Sequence, residues 1–374
     1  MNRMRTRFIL VIGILVLAGA FGRADAPATS HADSFSKQGL FKADVNDLKD
    51  TQLVVSPDVP LAPDKNVLWC GTLQLAWNEA EALVGEKLRF TKPAAAADLL
   101  DAGSFTRTDL APDSYVAIAD FERNDVEDEI RAALERTFHG AASPELIPPK
   151  PANPGPDDFV AYAYLYKNLA FAHPFTEDTL QFENKPVETF GFDTGASVEI
   201  RSQTHIYDYQ SPDDFIVSLQ TKSPQDQLIL AKIEPATTLQ ATIKTVLDRM
   251  AAQSPETARF DDYLHVPELN FDLRRSFHEL EGLVLDPTPT AKIKDKLIVK
   301  QVEQLVRFQL NQNGAILKSE AAMSVVAAAI SAPLHALVFD KPFLILLKQR
   351  DSPRPYFALW VGNPTLLVPA KSEE

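Results

Sequence analysis

Between Ser143 and Phe159 the chain reads PELIPPKPANPGPDD, with six prolines in residues 144–156. Proline fixes φ, has no amide hydrogen to donate and clashes with a preceding helical turn, so neither a helix nor a central strand passes through this stretch. It is a connection, either a domain boundary or a rigid crossing loop within one domain. The two sides of it differ in character. Before it, Trp69, Leu73, Trp77, Ala80 and Val84 recur at helical spacing and predict a helix from Leu68. NDVEDEIRAALERTF (124–138) predicts a second helix, with Val126, Ile130, Leu134 and Phe138 on one face and acidic residues near its start. After it, FVAYAYLY (159–166) is apolar or aromatic throughout, as a strand covered on both faces is. FIVSL and LILAKI flank TKSPQDQ as a hairpin, and YLHVPELNFDL, VRFQL, FLILL and YFALWV are strand-like. One later helix, TTLQATIKTVLDRM, turns Leu239, Ile243, Val246 and Met250 inward. Helices gathered early and strands late imply an α+β fold rather than alternating βαβ units.

With 374 residues, 45% of them apolar, the chain can bury a large core, and its net charge of -14 repels phosphate backbones. Nucleic acid is therefore not expected as a partner. At the N-terminus Arg3, Arg5 and Arg7 precede the unbroken apolar run FILVIGILVLAGAF (8–21) and then small residues. This is the pattern of a signal peptide over 1–24, cut after Ala24 because Pro27 disfavours a cut after Ala26; the alternative is an uncleaved anchor. The expected location is secreted or periplasmic, without membrane attachment after the cut. Residues 25–65, polar and ending in DVPLAPDKN, are expected to be loosely attached. A single cysteine, Cys70, rules out an intramolecular disulfide and, in the apolar setting VLWCGTLQLAW, is a packed thiol rather than a nucleophile.

His31, His139, His173, His205, His265, His278 and His335 include no pair at the spacing of a helical metal site, and no cofactor-binding pattern is present. GFDTGAS (191–197) resembles the Asp-Thr-Gly signature of aspartic proteases, in which two aspartates share a proton. The chain has no second copy, so Asp193, Thr194 and Gly195 are expected to form a turn leading into a strand SVEI. An aspartic protease using Asp193 stays as the enzymatic alternative to a chain that is not an enzyme.

VFDKPFLILLKQRDSPRPYFALWVGNP is similar to the C-terminal signature of the serpin family, a strand F-x-x-P-F-L-F-L-I, a short turn and a second strand ending in L-F-M-G. Phe339, Pro342, Phe343, Leu344 and Leu346 fit the first strand; Leu359, Trp360, Val361 and Gly362 fit the second, and Asn363-Pro364 ends it early. YLYKNLAFAHPF (164–175) resembles the family's N-A-x-Y-F-K-G-x-W-x-x-P-F, with Tyr166, Lys167, Pro174 and Phe175 in place, Tyr162 for its asparagine and Asn168 for its glycine. DDYLHVPELNFDLRRSF resembles V-x-L-P-K-F-x-I-x-x-x-x-D-L, and NVLWCGTLQLAWNEA lies where serpins have a strand followed by a long buried helix. The family's first helix and the helix crossing its main sheet have no matched segment. The resemblance implies a serpin-like domain over 66–364 with a tail at 365–374. It also implies helices packed on a large mixed central sheet, further sheets, and an exposed reactive loop at about 315–338.

The function so implied is inhibition of serine or cysteine endopeptidases: the protease cuts the loop, and the loop's N-terminal part joins the central sheet as a new strand. Insertion buries every second residue. In SEAAMSVVAAAI one face would be Ser319, Ala321, Met323, Val325, Ala327 and Ala329, without charge; Glu320 lies on the other. A buried alanine-rich helix stopped by Pro333 is the competing reading of the same residues. The hinge expected from the resemblance is Lys318, Ser319, Glu320, Ala321 and Ala322, with Lys318 where inhibitors carry glycine and Gly314 too early to replace it. The reactive site is expected among Ile330, Ser331, Ala332 and Pro333, whose small residues suit an elastase-like protease. The expected partner is that endopeptidase, met by a monomer. A serpin-fold binding protein without inhibitory activity is the alternative within the family.

Overall fold

The computed structural model describes residues 7–16, 40–314 and 335–371, the first of these by its backbone course. In chain order the elements begin with strands β1 (Arg7–Val16), β2 (Phe41–Asp44), β3 (Thr51–Val54) and β4 (Asn66–Cys70). Helices α1 (Thr72–Val84) and α2 (Ala95–Asp101), β5 (Tyr115–Phe121), α3 (Val126–Phe138), β6 (Phe159–Lys167), β7 (Thr176–Phe182) and β8 (Lys185–Phe192) follow. Next come α4 (Val198–Arg201), β9 (Thr204–Ser211), β10 (Asp214–Leu219), β11 (Asp226–Lys232), α5 (Leu239–Ala251) and β12 (Glu256–Thr257). The chain ends with β13 (Tyr263–Pro267), β14 (Leu269–Ser276), β15 (Val284–Leu285), β16 (Leu297–Leu310), β17 (Ala336–Val338), β18 (Phe343–Gln349) and β19 (Pro355–Val361).

Three sheets organise the described residues. The central one runs β2-β14-β16-β1-β6-β5, with β15 on β16; it is mixed, because β1 is parallel to both neighbours while β14–β16 and β5–β6 are antiparallel. The second runs β12-β9-β10-β11-β18-β19-β4-β3 and the third β17-β13-β8-β7. Strand β6 explains its own sequence: Phe159, Ala161, Ala163 and Leu165 enter the main core with α1, while Val160, Tyr162 and Tyr164 enter a second core under α3. Both faces are covered, so Phe159–Leu165 are all apolar or aromatic.

Helices α3 and α5 form with the expected residues buried. Helix α3 lies on the central sheet, and its core joins Val116 of β5, Tyr162 and Tyr164 of β6 and Leu305 of β16. The acidic helix thus crosses one face of the central sheet. The proline stretch that follows it is a crossing loop within one domain: α3 before it packs on β6 after it, and β5 pairs with β6.

Three expectations need correction, and the tail gains a position. The first helix starts at Thr72 rather than Leu68, because Asn66–Cys70 is a fully buried strand. A strand covered on both faces is apolar everywhere and so mimics any period. The break falls at Gly71, where a Cβ would lie 2.3 Å from the Phe105 ring. Residues 41–65 are part of the domain, since β2 and β3 edge two sheets and Val45, Leu53, Val54 and Val55 are buried. Edge strands keep charged residues on their wet side, and that made the segment read as loosely attached. SVEI forms the single helical turn α4 and no strand, with Val198 55% exposed and therefore without a buried face to specify a strand. The tail is docked: Leu366 and Leu367 are buried, and Val368 bonds to Glu188 and Glu268 through the backbone at 2.9 Å each.

Candidate functional site

Strands β6 and β16 are parallel to each other and separated by the width of one strand. Adjacent strands lie about 4.7–4.9 Å apart, so this slot takes one extended segment and no more. In the structure that segment is β1: Phe8–Val16 pair with Phe159–Lys167 on one side, and Arg7–Leu15 with Ile298–Arg307 on the other. The residues expected to leave as a signal peptide therefore fill the middle of the central sheet, and their removal would leave two facing strand edges with unpaired N–H and C=O groups.

One polar group is buried beneath the slot. Gln304 of β16 is fully buried, and its Nε2 donates to the Cys70 carbonyl and to Thr72 Oγ1, both at 3.1 Å, tying the slot's wall to the start of α1. Its neighbours Val302, Leu305 and Val306 made that wall read as plain apolar strand, and nothing in the sequence singled Gln304 out. Cys70 itself is inert: burial pushes its thiol up to about 12, and Sγ is 3.2 Å from the Tyr356 carbonyl.

The loop that leaves β16 is held at both described ends. At its departure Asn311 and Gly314 exchange backbone hydrogen bonds at 3.0 and 3.1 Å, Phe171 N donates to the Asn313 carbonyl at 3.1 Å, and Phe175 N to Gln312 at 2.8 Å. Gly314 has φ +100°, and a Cβ there would sit 2.5 Å from the Leu169 carbonyl oxygen. Its glycine serves a close approach of two backbones, which is the opposite of a mobile hinge. Phe175 is buried against Phe171 and Phe190, with ring centroids 4.8 and 5.8 Å away. The 164–175 motif is thus the socket from which the loop departs. Its Lys167 pairs with buried Asp226 at 2.9 Å, and Tyr356 donates to the same carboxylate at 3.1 Å, which joins the central sheet to the second one.

At its return the chain is caught by the second motif. His335 N donates to Asp262 Oδ1 at 2.8 Å, and His335 Nδ1 lies 3.1 Å from the same oxygen, while Asp262 is fully buried. Strand β17 then pairs with β13, and Lys232, with its side chain 4% exposed, donates to the Val338 carbonyl at 3.0 Å and to Asp340 at 2.6 Å. Lys318, Ser319, Glu320, Ala321 and Ala322, and likewise Ile330, Ser331, Ala332 and Pro333, lie outside the described residues.

Near the departure point Glu268 is only partly exposed, and its pKa is raised to about 8 by burial first and then by the charges of Glu177 and Glu188. Gln312 reaches the Glu177 carboxylate from the loop side. Asp193 follows strand β8 and begins a turn: Gly195 has φ +84°, and its N–H donates to the Phe260 carbonyl at 2.8 Å. The Asp193 side chain is 82% exposed, and Oδ1 lies 3.2 Å from His265 Nε2. Its hydrogen-bonding neighbour is an imidazole, and the shared-proton chemistry of two carboxylates needs a different partner. Among the described residues no group of three His, Cys, Asp or Glu side chains could hold a metal ion.

No family model matches the chain, and no curated protein sequence matches it. The solved structures similar to it include thyroxine-binding globulin and Serpin48. Thyroxine-binding globulin in complex with thyroxine shares 11% identity at a TM-score of 0.47, over 81% of this chain and 94% of that one. Serpin48, a highly specific serpin of the insect Tenebrio molitor, shares 15% identity at a TM-score of 0.43, over 80% and 92%. The fold is α+β, with a large mixed sheet crossed by a helix, two further sheets, and the C-terminal strand pair β18–β19 at the centre of the second.

Proposed function

We propose that the chain, exported and freed of its leader, is a monomeric serpin-like inhibitor of serine or cysteine endopeptidases that works by inserting residues 319–330 between β6 and β16. The observation that carries this reading is the slot itself. A chain leaving the end of β16 and turning back runs antiparallel to it, into the place where the sheet lacks a strand of its own once residues 7–16 are gone. The fourteen residues of β16 are long enough to pair with all twelve of 319–330. Insertion puts Ser319, Ala321, Met323, Val325, Ala327 and Ala329 inside, and none of them carries a charge. Each ladder hydrogen bond contributes about 0.5–1.5 kcal/mol net. Cleavage at Ile330-Ser331 or Ser331-Ala332 suits an elastase-like protease, since a proline just after the cut disfavours Ala332-Pro333.

The test is to nick the leader-free chain between Ile330 and Pro333 and melt it. The nicked form should melt at least about 10 °C higher than the intact one. Val325→Arg should abolish the rise, because an unpaired guanidinium would enter the interior, whereas Val326→Arg should leave most of it. No rise on nicking would remove inhibition by insertion. A second reading, a serpin-fold binding protein that never inserts, is favoured by Lys318 at the hinge and by Gly314 locked against residues 169–171. Lys318→Gly separates the two: an inserting inhibitor approaches one protease consumed per molecule, and a binder is unaffected.

A further inference from the structure

Helix α2 is seven residues long, too short to hold itself, and its attachment to α1 passes through two carboxyl groups. Asp101, the last residue of α2, accepts from Trp77 Nε1 of α1 at 2.8 Å, and Trp77 is 1% exposed. Lys87 Nζ donates to the Asp101 carbonyl at 2.9 Å and lies 3.2 Å from Glu81 Oε2. The other oxygen of Glu81, Oε1, is buried without a hydrogen-bond donor among the described residues, and the Asp101 carboxyl is in hydrogen-bond contact with the Glu81 side chain. Two carboxylates in contact are both acceptors, so a bond between them exists only while they share one proton. We propose that the Glu81–Asp101 pair is a proton-held latch that fastens the end of α2 to α1 and releases it as pH rises, widening the groove between α2 and residues 286–288. The charges around the pair are otherwise engaged. Lys292, packed on the same end of α1, donates to the Ala82 carbonyl at 2.9 Å, and Glu86 accepts from Thr288 N at 2.8 Å. Asp98, Arg89 and Lys92 line the open groove. Burial first, and the Asp101 carboxyl second, raise the Glu81 pKa above its ordinary 4.5, against the pull of Lys87. Below 4.5 the carboxyl is protonated in folded and unfolded chains alike. From 4.5 up to the raised value only the folded chain keeps the proton, so the latch's contribution is lost as pH rises through that window.

The experiment follows amide hydrogen exchange at Ala95–Ala102 in the full chain, by mass spectrometry from about pH 5 to 8, after division by the intrinsic exchange rate. Wild-type protection there should fall about tenfold or more across that range, as local opening of the helix end becomes easier. Glu81→Gln should abolish the fall, since its amide donates to Asp101 without titrating. Asp101→Asn should abolish it too, because its amide oxygen still accepts from Trp77 Nε1 while its nitrogen donates to Glu81. Both variants are close in shape to the native residues, and if one fails to fold the other decides. Asp98→Asn, on the same helix but outside the pair, should keep the wild-type fall. No fall in wild type, or an equal fall in wild type and in either folded amide variant, overturns the latch. A fall removed by Asp98→Asn instead belongs to the surface charges of the groove and overturns the latch as well. None of these outcomes depends on loop insertion.

Discussion

The β18–β19 hairpin and the slot between β6 and β16 are both interior sheet, yet they are specified in different ways. In the hairpin, strands a few residues apart in sequence pair in one register from Phe343–Val361 to Leu347–Phe357, and all seven residues of β19 are buried. Its neighbours on both sides, β11 and β4, are equally fixed. The slot, by contrast, is walled by strands about 140 residues apart, and its occupant comes from a distant part of the chain. A hairpin fixes its own partner through a short turn. A slot fixes only a length and a tolerance for small or apolar side chains, and more than one segment, in either direction, can satisfy those terms.

The largest effect expected from this contrast is on the hairpin. Trp360 is fully buried, and its Nε1 donates to the Pro63 carbonyl at 2.9 Å. Trp360→Ala should cost about 3–5 kcal/mol in guanidinium unfolding, a large share of a typical total of about 5–15. Val325→Arg in the intact, leader-free chain should cost no more than about 0.5 kcal/mol, since in the proposed intact state the loop is outside the sheet. Comparable losses from the two substitutions would mean that residue 325 is already core, as in the buried-helix reading of the same alanine-rich run.

A smaller effect sharpens the comparison at the slot's exit. In the folded chain Glu268 has its pKa raised from the ordinary 4.5 to about 8, by burial and by the charges of Glu177 and Glu188. Below 4.5 the carboxyl is protonated in folded and unfolded chains alike and favours neither. Between 4.5 and 8 the folded chain keeps the proton and the unfolded chain releases it, so stability falls as pH rises through this window and levels off above it. The fall attributable to this group is on the order of a few kcal/mol. Glu268→Gln should flatten the slope between pH 5 and 8 and raise stability at pH 8, as read by urea unfolding across that range. An unchanged slope would place the pH dependence elsewhere.

How legible the molecule was in its sequence follows the same division. Helices α3 and α5, strand β6 and the β18–β19 pair were readable because their apolar residues sit at one period, or at every position. Strands β2 and β3 were not, because an edge strand carries charge where it meets water, and Lys42, Asp44 and Asp50 hid the buried Val45, Leu53 and Val54. The motifs at 164–175 and 261–277 were visible as a likeness. Their task, gripping the two ends of one loop through residues such as Phe175 and Asp262, needed long-range contacts that no local pattern carries. The occupant of the slot was illegible for a deeper reason: the unbroken apolar run of a leader has the composition of a central strand. FILVIGILV satisfies either role, and only pairing distinguishes them.

The smallest expected effect belongs to the most conspicuous motif. The Asp193-Thr194-Gly195 turn stands beside β13, the strand that receives the returning loop. Asp193 is exposed, and its bond to His265 at 3.2 Å is of the surface kind that contributes at most about 1 kcal/mol. Asp193→Asn should therefore shift stability by about 0.5 kcal/mol or less and leave the proposed protease inhibition unchanged. Gly195→Ala in the same turn should cost more, about 1 kcal/mol, because φ +84° strains any residue with a Cβ. That ordering identifies the glycine, rather than the carboxylate, as the reason for the motif. The reverse ordering, together with a peptidase activity active in acid and lost in Asp193→Asn, would replace an inhibitor by a hydrolase and make the neighbouring slot incidental to the chemistry.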